Sequence, residues 1–131
     1  MAVAVAIFRD DRVLALRRAK DRDAGAGLWE VVSGRVRPCE EPLDAALREV
    51  DEETGLTVAI DPRPVTAYAA QRGDRPMTVV IYRADHVAGE PRLSVEHDEA
   101  RWCTLDELEQ VCTLDKLISA IRAARREPRA R

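Results

Sequence analysis

An α/β fold, a sandwich with a mixed β-sheet between helices, is predicted for this chain by three features of its sequence. Short apolar, β-branched runs alternate with segments of helical periodicity. No internal repeat or long linker interrupts them. The length of 131 residues, 46% of them hydrophobic, suits one core and is too short for two ordinary domains. A single domain over 1–126 is expected, with 127–131 a disordered basic tail.

Taken in order, Met1 to Arg9 and Arg12 to Arg18 read as two strands joined by a hairpin turn at Asp10-Asp11. Side chains alternate along the second, so Leu14, Leu16 and Arg18 share one face while Val13, Ala15 and Arg17 share the other. Ala19 to Leu28, with Gly25 and Gly27 among charges, reads as a flexible loop leading to Trp29. Pro42 suits the first position of a helix, where its missing N–H has no partner to lose. Asp44 then meets the positive end of the helix dipole, and Gly55 suits a left-handed C-terminal cap. Leu43, Ala46, Leu47 and Val50 recur at helical spacing and form the expected buried stripe. Strands are predicted near Thr57 to Ile60, Val65 to Gln71 and Met77 to Ala84, the last two separated by the turn-like RGDRP. A short strand near Ala100 to Thr104 and helices over Leu105 to Val111 and Leu114 to Arg125 complete the chain.

The first helix carries the chemistry. REVDEETG places Glu49, Glu52 and Glu53 within five positions. Glu52 lies about 60° to one side of Glu49 and Glu53 about 40° to the other, so the acids share an arc of roughly 100°. That arc borders the apolar stripe. Two unit charges about 5 Å apart repel by about 3 kcal/mol at an effective dielectric near 20, a cost that a divalent cation removes. Glu49 and Glu53 are also an i,i+4 like-charge pair, which weakens an isolated helix. Arg48 lies beside Glu52 and offers partial neutralisation only.

Composition excludes several classes. No run of eighteen apolar residues spans a membrane, and the apolar MAVAVAIF start lacks the features of a signal peptide, so a cytoplasmic location is expected. Cys39, Cys103 and Cys112 have neither zinc spacing nor an even count, and read as free thiols. The net charge of −3 gives no general pull toward nucleic acid or membrane.

The run GRVRPCEEPLDAALREVDEETGL, Gly34 to Leu56, resembles the Nudix box: Gly34, Glu40, Arg48, Glu49, Val50, Glu52, Glu53, Gly55 and Leu56 meet its fixed positions. The flanks LWEVVSG and ARWCTLDEL are similar to the family's Trp-Glu approach and its late Trp strand and helix. The resemblance implies a Nudix-type α/β/α sandwich with a mixed β-sheet. It also implies a Mg²⁺-dependent hydrolase, with Mn²⁺ as the alternative, that cleaves a diphosphate linkage in a small nucleoside diphosphate derivative, acting as a monomer or homodimer. A Nudix-fold nucleotide-binding or sensor module is the alternative, although no box carboxylate is missing.

Within that resemblance Glu49 and Glu53 are the principal metal ligands, and Glu52 is ligand or base. Arg48 orients the carboxylates, Glu40 fixes the loop to the helix, and Gly34 and Gly55 are structural. The family uses the backbone carbonyl at the Ser33 position as a further ligand. Glu96 and Glu99 resemble acids that some members bring to the metals or use as base, with an ordinary acidic turn as the other reading. Arg18, and after it Arg17, are candidates for a substrate phosphate, or else surface charges. His97 reads as a solvated loop histidine and Trp29 and Trp102 as core residues. The chain departs from the family at Val32 and Ser33, where proline and glycine are usual, and at Cys39, where glycine is usual. A loop with a turn of its own is the favoured reading of that joint departure; a strained left-handed turn at Cys39 is the other.

Overall fold

Along the first strand Ala2, Ala4, Ala6 and Phe8 alternate with Val3, Val5 and Ile7, and all seven side chains are buried. A strand buried on both faces must lie inside a sheet that is covered on both sides. In the computed structural model, which describes residues 1–19, 26–72 and 74–126, this strand, β1 (Ala2–Arg9), lies within an eight-stranded mixed sheet. Its neighbours are β2 (Arg12–Arg18), β4 (Val32–Arg35) and β7 (Arg75–Ala88), the last parallel to it. β3 (Trp29–Glu30) and β8 (His97–Cys103) pair with β2, while β5 (Thr57–Ile60) and β6 (Thr66–Arg72) pair with β7.

Helices cover both faces. The alanine face of β1 packs with Val13 and Ala15 against Leu105 and Leu108 of α2 (Leu105–Val111) and Leu117, Ile121 and Ala124 of α3 (Asp115–Arg126). Its valine and isoleucine face packs with Leu14 and Leu16 against Ala45, Ala46 and Val50 of α1 (Pro42–Thr54). The result is the α/β/α sandwich that the alternation predicts. Among the described residues no helix is long and apolar enough to cross a membrane.

The caps of α1 are as the sequence requires: Pro42 stands in the first turn, and Gly55 closes the helix at φ 67° with its N–H on the carbonyls of Asp51 and Val50. Three details correct the reading of the sequence. β3 and β4 are too short to show a period, and pairing with β2 and β1 makes them strands. β7 and β8 extend beyond their apolar runs because ladder bonds to neighbours continue there. The buried arc of α1 is also turned toward the acids, leaving Leu47 40% exposed and burying Glu53 to 2%. The expected loop over Ala19 to Leu28 is described only in part, and the expected tail at 127–131 lies outside the described residues.

Candidate active site

The site begins where β1 changes partners. β2 pairs with its end at Phe8 and Arg9, and β4 pairs with Ala2 to Val5, so the backbone of Ser33 and Gly34 is carried under α1. A Cβ at Gly34 would stand 2.2 Å from Glu49 Cδ, so glycine is needed there for space. The Ser33 N–H points at Glu53 Oε1, 3.4 Å away. Burial holds the Glu53 carboxyl far above the usual carboxylate range; the neighbouring Glu49 carboxyl and the charges of Glu30 and Glu96 add to the shift.

Arg48 ties the helix to the preceding loop. Its Nε and Nη2 donate to the two oxygens of Glu40 at 2.9 Å each, and Nη1 donates to Glu49 at 2.7 Å and Glu52 at 3.0 Å. Nη2 also reaches the carbonyl of Arg35. The hydrogen bond from Arg48, with that from the Arg37 N–H, holds the Glu40 carboxyl down at about 2. Glu52 faces outward, its side chain 46% exposed and flanked by Arg48 and Arg37. The loop keeps a left-handed residue at Cys39, φ 64°, so the expectation of a different turn is corrected. Glu40 must follow at once to meet Arg48, and that fixes the path of the chain.

A second group of residues meets the first from β8. His97 is 4% exposed and stands on a strand, contrary to its reading as a solvated loop residue. The extra residue Asp98 in β8 turns it off the face of Glu99 and Arg101, so alternation along the sequence carried no signal for it. Its Nε2 lies 2.8 Å from Glu30 Oε2, which also accepts from Arg18 Nη1 at 3.2 Å. Its Nδ1 lies 4.0 Å from Glu53 Oε1. Ligand atoms of Glu53, Glu96 and His97 all lie within 4.8 Å of one another. Glu53 Oε2 and His97 Nδ1 are buried without a hydrogen-bond partner. Sequence reasoning read Glu30 only as part of the Trp-Glu approach to the box and assigned it no role in the site.

The structure does not bring Glu99 into this group. Glu99 pairs with Arg17 at 3.4 Å and Arg101 at 3.1 Å, and Arg101 covers the ring of Trp29 on the face opposite α1. Arg17 is held by Asp98 at 2.7 Å as well. The register shift opposite Arg17 and Arg18 makes Asp98 of β8 the extra residue, so β2 keeps its alternation and Arg18 meets Glu30, the cross-strand partner of Leu16. Arg18 also lines a cavity of about 510 Å³ that runs from Ser33 and Gly34 past Trp29 and Tyr68 to Lys116.

The carboxylates, the glycine beneath them and the cavity beside them form one arrangement, and the model of the NUDIX domain matches residues 1–127. The chain belongs to the Nudix family. Nudix hydrolases act on phosphoric anhydride bonds and use a divalent metal. The chain is 32% identical over 111 residues to a MutT-like protein of Streptomyces ambofaciens, covering 84% of this chain and 67% of that protein. It is 30% identical to the CTP pyrophosphohydrolase of Escherichia coli strain K12, covering 94% and 93% of the two chains. The fold superposes on a C. elegans Ap4A hydrolase with a TM-score of 0.84 at 23% identity, over 95% of this chain and 93% of that one. The Nudix site of this chain fits a hard cation on its own geometry, because it holds converging carboxylate oxygens, one of them buried and unpartnered.

Proposed function

We propose that the chain, as one domain over 1–126, is a Mg²⁺- or Mn²⁺-dependent hydrolase that cleaves a diphosphate linkage in a small nucleoside diphosphate derivative. The observation that carries this reading is Glu53, a carboxylate buried beside Glu49 with one oxygen unpartnered among the described residues. Without a cation such a pair is held together at the expense of protonation; with one, both carboxylates ionise.

Glu49, Glu53, Glu96 and the Ser33 carbonyl would hold the metal. A divalent cation bound there supplies positive charge to the diphosphate oxygens, the main requirement of phosphoryl transfer. Arg48 keeps Glu49 in place through the pair with Glu40, so the carboxylates need not reorganise during the reaction. Glu52, half-exposed at the rim, would accept a proton from solvent or complete the ligand set. Glu99 stands apart from this chemistry, since two arginines hold it across the sheet. Arg18 lines the cavity in reach of a phosphate, and the apolar walls at Trp29, Tyr68 and Met77 suit the rest of the nucleotide. The resemblance to the CTP pyrophosphohydrolase supports a nucleotide substrate.

A panel of nucleoside triphosphates, nucleotide sugars, ADP-ribose and dinucleoside polyphosphates with Mg²⁺, read as phosphate, pyrophosphate or mononucleotide, tests the reading. Turnover of at least one compound, abolished by EDTA and restored by Mg²⁺ or Mn²⁺, is the expected result. Turnover indifferent to EDTA, or none across the panel, overturns it.

A further inference from the structure

Three side chains from distant parts of the sequence converge behind the acid helix, and their hydrogen bonds leave one lone pair exposed to the cluster. Glu30 Oε2 accepts from Arg18 Nη1 and stands 2.8 Å from His97 Nε2. A carboxylate that accepts from a cation accepts from the ring as well, so Nε2 carries the hydrogen and Nδ1 carries the lone pair. That Nδ1 is buried, has no hydrogen-bond partner and lies 4.0 Å from Glu53 Oε1. At that separation the two atoms make no hydrogen bond with each other. Yet two ligands of one ion, each about 2.1 Å from it, are separated by up to about 4.2 Å. The carboxylate of Glu96 completes the same group.

We propose that His97 Nδ1 is a nitrogen ligand of the divalent cation held by Glu53 and Glu96, and that Glu30 is the positioning residue that fixes the ring for it. The proposal rests on the metal reading above and adds to it a ligand of a different element. A carboxylate that fixes a ligating imidazole through its other nitrogen is a recurrent arrangement in metal sites, and it raises the basicity of the ligating atom. One consequence is selectivity. Carboxylate oxygens alone suit Mg²⁺, whereas an added imidazole favours first-row transition ions such as Co²⁺.

The test is pulsed EPR of the whole protein loaded with Mn²⁺, before and after labelling its histidines with ¹⁵N. With only two histidines in the chain, the isotope leaves two candidate nitrogens sources, His86 and His97. The expected result is a ¹⁴N coupling to Mn²⁺ that becomes ¹⁵N on labelling, persists in His86→Gln and disappears in His97→Gln. Calorimetry should show Co²⁺ binding weakened about tenfold or more by Glu30→Gln, the usual scale for losing an outer partner of a ligand, with a smaller effect on Mg²⁺. Mn²⁺ that binds without nitrogen coupling in the unmodified sequence overturns this proposal and leaves the metal-dependent hydrolase standing. Absence of Mn²⁺ and Mg²⁺ binding altogether overturns both. The isotope comparison needs no substitution, so a His97→Gln protein that failed to fold would not protect the proposal.

Discussion

Glu49 lies across Gly34 so closely that a Cβ on residue 34 would come within 2.5 Å of both its carboxylate oxygens. The glycine is thus a seat for the acid, with no demand on its own backbone for a left-handed conformation. What a larger residue would push aside is the end of a flexible side chain, so the carboxylate moves and the fold survives. Gly34→Ala should lower turnover about 10²-fold, the scale of misplacing one main electrostatic stabiliser, while the melting temperature changes by less than about 5 °C. Undiminished turnover would show that Glu49 has no part to play where it lies.

The outlying candidate Glu99 and the buried acid Glu53 separate cleanly by substitution. Glu53→Gln keeps the shape and removes a charge from the cluster, so turnover should fall a hundredfold or more. Glu99→Gln frees Arg17 and Arg101 at a partly exposed site and should cost less than about threefold, in keeping with the small worth of such pairs. Steady-state kinetics with saturating Mg²⁺ decide the matter; the reverse ranking would move the site to the other face of the sheet.

Stability without metal should depend on pH through Glu53. Its folded pKa is raised, first by burial and then by Glu49, above the 4.5 of an ordinary glutamate, so the folded state keeps a proton that the unfolded chain gives up. The unfolded state binds fewer protons, and stability therefore falls as pH rises. The contribution is complete below about pH 4.5 and is lost upward through the neutral range. Glu53→Gln mimics the protonated form and should lack this loss. Melting curves in EDTA between pH 5 and 9 should show the variant gaining on the parent as pH rises, with Mg²⁺ narrowing the gap; parallel curves would contradict the burial argument.

Cys39 holds φ 64° in the loop, a conformation that favours glycine. Strain of this kind costs about 1–3 kcal/mol, while glycine gives the unfolded chain freedom worth about 0.5–1 kcal/mol. Strain is the larger figure. Cys39→Gly should accordingly raise the melting temperature by a few degrees and leave turnover within about twofold, because Glu40 keeps its path to Arg48. A lower melting temperature, read by calorimetry, would show that the neighbours of Cys39 relieve the strain.

The sequence by itself determined the family, the acid helix and its caps, since Pro42, Gly55 and three glutamates act through spacing along one chain. The layering of the sandwich was legible for the same reason: alternation in β1 is a local property that assigns each side chain a face. Local spacing could not say how far α1 is turned toward the sheet, and so missed that Leu47 is exposed and Glu53 buried. Nor could it find the group around His97. Glu30 and His97 are 67 residues apart and meet only because β2 lies between β3 and β8. A one-residue bulge at Asp98 of β8 turned His97 to the face opposite Glu99, an event no alternation rule contains. Charge and protonation were decided last and only in three dimensions, because desolvation and pairing depend on which groups surround an atom in space, and the order of residues along the chain does not record that.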